Sequence, residues 1–567
     1  MHFAHLKENP FNLVEEDINW VKTIFNSLTP EEKLGQVYCD SLSPFVQSRD
    51  IKEIIKLLDK TINYGFGAYF RIVSLPTKLT IEMSRYLQEN SKIPLLLSAD
   101  FEFWFGYCLA DGTPYQRQLG VAATDDPAMA EKMAIIAARE GLSLGYNWSY
   151  TPVVDINYNF RNPIVNTRSF GSNPEKILAM AKIYIKAMQS EGMAATVKHW
   201  PGDGVDERNQ HLVTSKNSLE MDEWLNTYGK IYKNLFKSGV LTLMSAHISL
   251  PAYYKKKNMD KDSRKMLPGS LSKELNMDLL RKDLGFNGLI SSDANYMAGF
   301  LCNGKREDLI PMQIENGVDI ALGCTGDKDM EYLKKGLEKG KLSEKRLDEA
   351  VIRVLGLKAS LGLHKKKKDG TLVVSEAGAK KVLKNNQHIN WSNECIEKSI
   401  TLVKDTQNIL PISNIKHKRI LLIEGEVSQF MGLPEKLGLK KYLELEGFIV
   451  TEMEKGLMID GNNFDLIIYG VAEEGNIIKP GICLDWEKLH KNPMNSVLRF
   501  WHYVPTIFIS FGSPYHLYEV PEVKTYINCY TPIDLVKQTV VQMLVGKKPF
   551  KGINPVDPFC GLEEARI

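Results

Sequence analysis

The chain has 567 residues, too many for one core, so two or three domains are expected. Apolar content of 44%, charged content of 25% and a formal net charge of +2 fit an ordinary globular protein and give no argument for nucleic acid or an anionic membrane as partner. Eight scattered cysteines without a CxxC pair argue against a zinc ribbon or a disulfide framework. A start lacking a basic segment and apolar run, with no apolar stretch near the ~20 residues of a membrane span, points to the cytoplasm.

Residues 1–34 read as an amphipathic helical start, with Ser27-Leu28-Thr29-Pro30-Glu31-Glu32 as a helix-opening signal. Eight short apolar runs follow: Gly35–Cys39, Gly67–Phe70, Leu95–Ala99, Tyr150–Val154, Ala194–Val197, Leu241–Ala246, Gly288–Ser292 and Gly317–Leu322. Most are near-continuous, the pattern of parallel strands covered on both faces. Amphipathic stretches separate them, among them Asp126–Leu144, Glu175–Gly192 and Ser272–Leu284. Eight alternations over about 330 residues predict an α/β fold, a (β/α)8 TIM-like barrel. A helix over Glu344–Leu363 closes the pattern, giving a catalytic barrel over 1–363. The lysine run Lys365–Lys368 with Asp369-Gly370 marks a linker over 364–390. The remainder, 391–567, predicts a smaller α/β sandwich domain. It opens with a helix at Asn393–Val403 and has apolar runs at Arg419–Glu424, Leu466–Val471, Thr506–Ser510 and Thr525–Cys529. It carries neither GxGxxG nor GxxxxGK[ST], so nothing marks it as a nucleotide domain.

The ends of the barrel runs carry polar groups: Asp40, Arg71, Asp100, Asp155, Lys198-His199, His247 and Asp293. Residues just past barrel strands line the mouth. A cap or solvated turn explains any one of them, but seven in succession point to a site. The fifth run leads into TVKHWPGDGVDERNQHLVTS, Thr196 to Ser215. There, glycines turn a loop holding Lys198, His199, Asp203, Asp206, Glu207 and His211.

Carboxylates, a guanidinium (Arg168), an ammonium and imidazoles around one mouth suit a polyhydroxylated ligand, whose hydroxyls both donate and accept. Acetal hydrolysis needs a carboxylate beneath the anomeric carbon and a proton donor for the leaving oxygen. Asp293 and His211 are the residues chosen for these roles.

The same residues carry a family resemblance. The Asp100/Glu102 stretch, PVVDIN, NTRSFG, KHWPGDG with a histidine seven positions past its last glycine, SAHISLP and GLISSDANYM resemble glycoside hydrolase family 3, in its bacterial β-N-acetylglucosaminidase branch. The resemblance covers essentially the whole chain. It implies Asp293 as nucleophile, His211 as acid/base, and Asp100, Arg168, Lys198 and His199 as binders of the non-reducing sugar. It also implies that the β-glucosidase branch draws its acid/base from the second domain. Two departures stand out. Asn209 occupies the position two before His211 where the family commonly has Asp. It leaves three accounts open: natural tuning, an engineered change that slows turnover, or replacement of the charge by Asp206 or Glu207. Aromatic Phe103-Trp104-Phe105 stands where the family has Gly-Gly-Arg, either shaping the pocket mouth or packing in the core.

The expected activity is a retaining, exo-acting release of β-linked N-acetylglucosamine from cell-wall or chitin-derived oligosaccharides. Asp293 forms a covalent glycosyl-enzyme and His211, on a mobile arm, serves as acid and then base. A neutral base also admits phosphate, so phosphorolysis stays open beside β-glucosidase activity and a catalytically impaired sugar-binding protein. A further reading takes Asp203, Asp206, Glu207 and His211 as metal ligands; the loose spacing disfavours it. The expected partner is a small oligosaccharide or glycoside, with no cofactor, metal, nucleic acid or membrane, on a monomer or homodimer. His247 is either a substrate contact or a satisfied core histidine. Glu473-Glu474 reads as a solvated turn.

Overall fold

A computed structural model describes residues 3–567 apart from 42–49, 72–74, 103–108, 260–265, 324, 428–434, 458, 460, 461, 480 and 482. The chain divides into two compact units. The first comprises 1–113, 130–156 and 177–388; the second comprises 114–129, 157–176 and 389–567.

Among the described residues the first unit carries ten strands: β1 (Tyr38–Ser41), β2 (Ala68–Arg71), β3 (Leu96–Ala99), β4 (Trp148–Ser149), β5 (Thr196–Trp200), β6 (Ser215–Lys216), β7 (Thr242–Ser245), β8 (Ile248–Ser249), β9 (Leu289–Ser292) and β10 (Ala321–Leu322). One parallel sheet runs β10-β1-β2-β3-β4 and another runs β5-β7-β9. Parallel bridges Trp148–Ala194 and Ser291–Ile320 join them at both margins, closing eight strands into a ring. Every residue of these eight strands is buried, as ring strands clothed by helices must be. Inside the ring, Trp148 Nε1 donates to the Thr196 and Thr242 hydroxyls at 2.9 and 3.0 Å, which offsets the cost of burying the indole N–H.

Several element boundaries differ from expectation. The helix Pro30–Gln36 takes the residues assigned to the start of the first strand. Its capping box has Glu32 N donating to Thr29 Oγ1 and Thr29 N donating to Glu32 Oε2. The fourth strand is Trp148–Ser149 rather than Tyr150–Val154, because Pro152 has no N–H to extend a ladder. The stretch Ser272–Leu284 forms a wide-turned π-helix over Glu274–Asp283. At the strands' N-terminal end, buried Asp319 accepts from Arg281 at 2.6 Å and Arg346 at 2.7 Å. Such a network at the barrel floor reads as stability.

The second unit is built on a six-stranded sheet ordered β11-β18-β17-β16-β12-β15. Its strands are β11 (Thr401–Asp405), β12 (Arg419–Glu424), β15 (Ile449–Glu452), β16 (Leu466–Val471), β17 (Thr506–Ser510) and β18 (Thr525–Asn528), while β13 (Glu426–Val427) and β14 (Glu435–Lys436) form a separate antiparallel pair. Only β11 runs antiparallel in the large sheet. Apolar clusters cover both faces, one around Ile420, Leu422 and Ile468, the other around Leu421, Ile467 and Tyr469. These alternating assignments follow the period of two along a strand. The helix expected at Asn393–Val403 runs instead over Asn386–Ser399. Residues 401–403 belong to β11, where β-branched Thr401 and Val403 favour the pleat. Among the described residues no helix is long and apolar enough to cross a membrane.

Candidate active site

The site starts in β5. Its register against β7 shifts between Val197 and Trp200, and Lys198 and His199 occupy that irregularity. A local excess of chain re-aims side chains that a regular strand would send to alternate faces. Lys198, 2% exposed, places Nζ 2.7 Å from Asp100 Oδ1 and against Glu102 Oε1. An ammonium so deeply buried needs such partners. The Lys198–His199 and Trp200–Pro201 peptides are cis.

Asp155, fully buried past β4, fastens His199. Its Oδ1 accepts from the backbone N–H of His199 at 3.0 Å and of Asp203 at 2.8 Å. Its Oδ2 lies 2.6 Å from His199 Nδ1. Since both backbone groups are donors, the carboxylate is an acceptor throughout, and Nδ1 carries the proton of that contact.

The loop after β5 is anchored at several points. Gly204 has φ +104°, and a Cβ there would meet Ile156 O at 1.9 Å. A Cβ on Gly202 (φ +120°) would meet the Tyr228 ring at 2.3 Å, so only glycine fits either turn. The loop returns as β6, paired with β8. Buried Gln210 accepts from the His247 N–H at 3.0 Å, and His211 O accepts from Ala298 N at 3.0 Å. That bond ties the histidine to the segment following β9. Asn209 Oδ1 accepts from His211 N at 2.9 Å and lies 2.8 Å from His211 Nδ1. An amide oxygen only accepts, so Nδ1 carries the proton of that contact.

Asp293 follows β9. Its backbone N–H donates to Ser245 O, and its Oδ1 accepts from Ala294 N at 2.8 Å. Burial pushes its carboxyl up. The imidazoles of His247, His199 and His211, with the Ala294 N–H, outweigh that and hold it below the ordinary carboxylate range. His247 is a satisfied core histidine. Nδ1 is 2.8 Å from Ser270 Oγ and Nε2 is 3.1 Å from Ala294 O. Nε2 therefore donates to the carbonyl and Nδ1 accepts from the hydroxyl. Burial lowers its pKa against the pull of Asp293.

Six of the seven expected site residues, Asp100, Lys198, His199, Asn209, His211 and Asp293, lie in the first unit: Lys198 Nζ meets Asp100, Asn209 meets His211 Nδ1, and the His199 and His211 imidazoles act electrostatically on Asp293. Arg168 belongs to the second unit, closing the 3-10 turn Asn166–Arg168 with Nη1 3.4 Å from Ile164 O. Two of the polar strand ends do other work. Arg71 donates to Thr80 O and Ser84 Oγ and stacks 3.9 Å over Tyr146. Asp40, 4% exposed, is pushed up to about 6 by burial. Asp206 is engaged by Arg208 at 2.7 Å and by Lys216 N, and the oxygen of Asn209 lies on His211 Nδ1. Phe103-Trp104-Phe105 lies outside the described residues. Glu473-Glu474 is no solvated turn: both are half-buried, and Glu474 pairs with Arg117 and accepts from Thr167 Oγ1 at 2.9 Å. The contribution of Asp155 was the least visible in the sequence. Its only signal was an acid after an apolar run in PVVDIN.

The model of the glycosyl hydrolase family 3 N-terminal domain matches residues 33–357, more than half of the chain. The chain belongs to glycosyl hydrolase family 3. A relative from Cellulomonas fimi, a β-N-acetylglucosaminidase/β-glucosidase, is 36% identical over 97% of this chain and 98% of its own. The solved structure of a β-glucoside phosphorylase, BglX, bound to 2FGlc is 38% identical, covers 99% of this chain and 100% of that one, and superposes with a TM-score of 0.90. A family 3 β-N-acetylglucosaminidase from Paenibacillus sp. str. FPU-7 shares the fold at 23% identity and a TM-score of 0.77, over 94% of this chain and 100% of that chain. The chain is a glycosidase of this family and acts on a glycoside.

Proposed function

We propose that this glycosidase releases non-reducing β-linked N-acetylglucosamine with retention of configuration. Asp293 attacks the anomeric carbon while His211 Nε2 gives its proton to the leaving oxygen. The C–O bond breaks as the Asp293 ester forms. Nε2 then takes a proton from water, whose oxygen displaces the carboxylate. Lys198, Asp100 and His199 grip the sugar hydroxyls. The observation carrying this reading is a buried carboxylate just past β9, its Oδ1 on the Ala294 N–H, in the field of a histidine whose Nδ1 lies on an amide oxygen. Asp293→Asn is expected to abolish turnover of nitrophenyl β-N-acetylglucosaminide; retained turnover removes Asp293 as nucleophile.

A second reading has phosphate as acceptor. It is favoured by the amide on His211, which adds no negative charge where an anion would enter, and by the 38% identity to a β-glucoside phosphorylase. The names of the relatives also keep β-glucosides open as substrates. kcat/KM for paired aryl β-N-acetylglucosaminide and β-glucoside, with and without phosphate, separates these. Release of sugar 1-phosphate marks the second reading.

A further inference from the structure

We propose that Gly299 and Thr214 are positioning residues that seat the loop carrying His211 on the turn after Asp293, and so set how far the proton donor stands from the nucleophile. The proposal rests on the reading of His211 as acid/base. The loop holds His211 in a single turn, since Leu212 N and Val213 N both donate to Asn209 O, at 2.9 and 3.0 Å. That turn rests on the short helix Ala298–Leu301. Ala298 N donates to His211 O at 3.0 Å. Gly299 is buried, and a Cβ on it would lie 2.1 Å from Gln210 O and 3.0 Å from Val213 O, backbone atoms on either side of His211. Further along the loop, the Thr214 hydroxyl donates to Gly299 O at 2.8 Å and accepts from Asn303 Nδ2 at 3.0 Å.

The other side of the contact is fixed to the barrel. Asp293 N donates to Ser245 O and Asn295 N to Leu322 O, both at 2.9 Å, so the segment leaving β9 is tied to β7 and β10. Arg306 Nη1 adds a bond to Asn295 O at 2.6 Å. Met297 N donates to Ala294 O at 3.1 Å and leads the chain into the helix. Only five positions separate Asp293 from Ala298, and all of them lie on this anchored backbone. The nucleophile and the proton donor therefore share one support. Glycine is the residue that lets two backbones meet as closely as they do at Gly299. A proton donor acts only within about 2.6–3.2 Å of the oxygen it protonates, so a loop displaced by ~1 Å loses most of its effect.

Gly299→Ala puts a methyl group against Gln210 O, and the loop must withdraw. Thr214→Val removes the hydroxyl bridge and keeps the branched shape, while Thr214→Ser keeps the hydroxyl. kcat/KM is to be measured over a series of aryl glycosides of whichever sugar the enzyme turns over best. Gly299→Ala is expected to lose ~3-fold or less with activated phenols and about 30-fold or more with poor leaving groups, because only the latter need the proton. Thr214→Val is expected to lose in the same pattern by a smaller factor, and Thr214→Ser to stay within about 2-fold of wild type throughout. Equal losses across the series in Gly299→Ala and Thr214→Val, or a Thr214→Ser as impaired as Thr214→Val, overturn the proposal and leave both residues merely structural. If Gly299→Ala fails to fold, Thr214→Val alone decides by the same pattern. His211→Ala is measured alongside. A steep dependence on the leaving group for His211→Ala with flat losses in the other two variants overturns the proposal and keeps the acid role. A flat loss for His211→Ala removes that role and the proposal with it.

Discussion

Two histidines in this site are held by the same device in different chemistry. In each, one side chain meets both Nδ1 and the histidine's own backbone N–H, through two oxygens for His199 and through a single oxygen for His211. For His199 the oxygen belongs to fully buried Asp155, at 2.6 Å. For His211 it belongs to Asn209, at 2.8 Å. The geometry fixes the ring in each case, but only the first clamp carries charge. A carboxylate fixes a ring that is placed to bind. An amide orients the ring without biasing it to the cation, as suits a group that must both give and take a proton.

The largest expected effect comes from the ammonium beside the first clamp. Lys198→Met leaves Asp100 and Glu102 facing each other without a cation. It is expected to cost roughly 3 kcal/mol of stability and to abolish measurable activity, checked by denaturant unfolding and by turnover. Next is the second clamp itself. Asn209→Asp converts it to the first kind, and the alkaline limb of kcat is expected to extend upward by about one pH unit. An unmoved limb would mean the identity of the clamp is immaterial. Wild-type kcat/KM gives a subtler check. Asp293 must be ionised to act and its pKa lies below the ordinary carboxylate range, so activity persists as pH falls to that range and declines only below it. The smallest effect lies outside the barrel. Glu474→Gln keeps the Thr167 bond but loses the charge facing half-buried Arg117, and is expected to cost about 1 kcal/mol with little change in kcat.

How much of this could be read from sequence follows the same division. The eight apolar runs stand at or beside the eight ring strands, because parallel strands buried on both faces leave an unbroken apolar signature. Lys198, His199 and His211 were legible because polar residues on a glycine turn have no packing explanation. Residues that act through others were not. Asp155 contributes by bonding backbone and ring at once, and that depends on where residues 155, 199 and 203 meet in space. Glu474 failed for the same reason, since its partners are some 300 residues or more away in sequence. β11 was read as helix because its short stretch of residues follows a true helix without a break.

The central claim, that one clamp serves binding and the other proton transfer, is tested most directly by leaving-group dependence. kcat/KM for a series of aryl β-N-acetylglucosaminides is to be measured for His211→Ala and His199→Ala against wild type. The account predicts that His211→Ala loses little with activated phenols and ~100-fold or more with poor leaving groups, while His199→Ala loses the same factor across the series. A dependence that steepens for His199→Ala, or stays flat for His211→Ala, would contradict it.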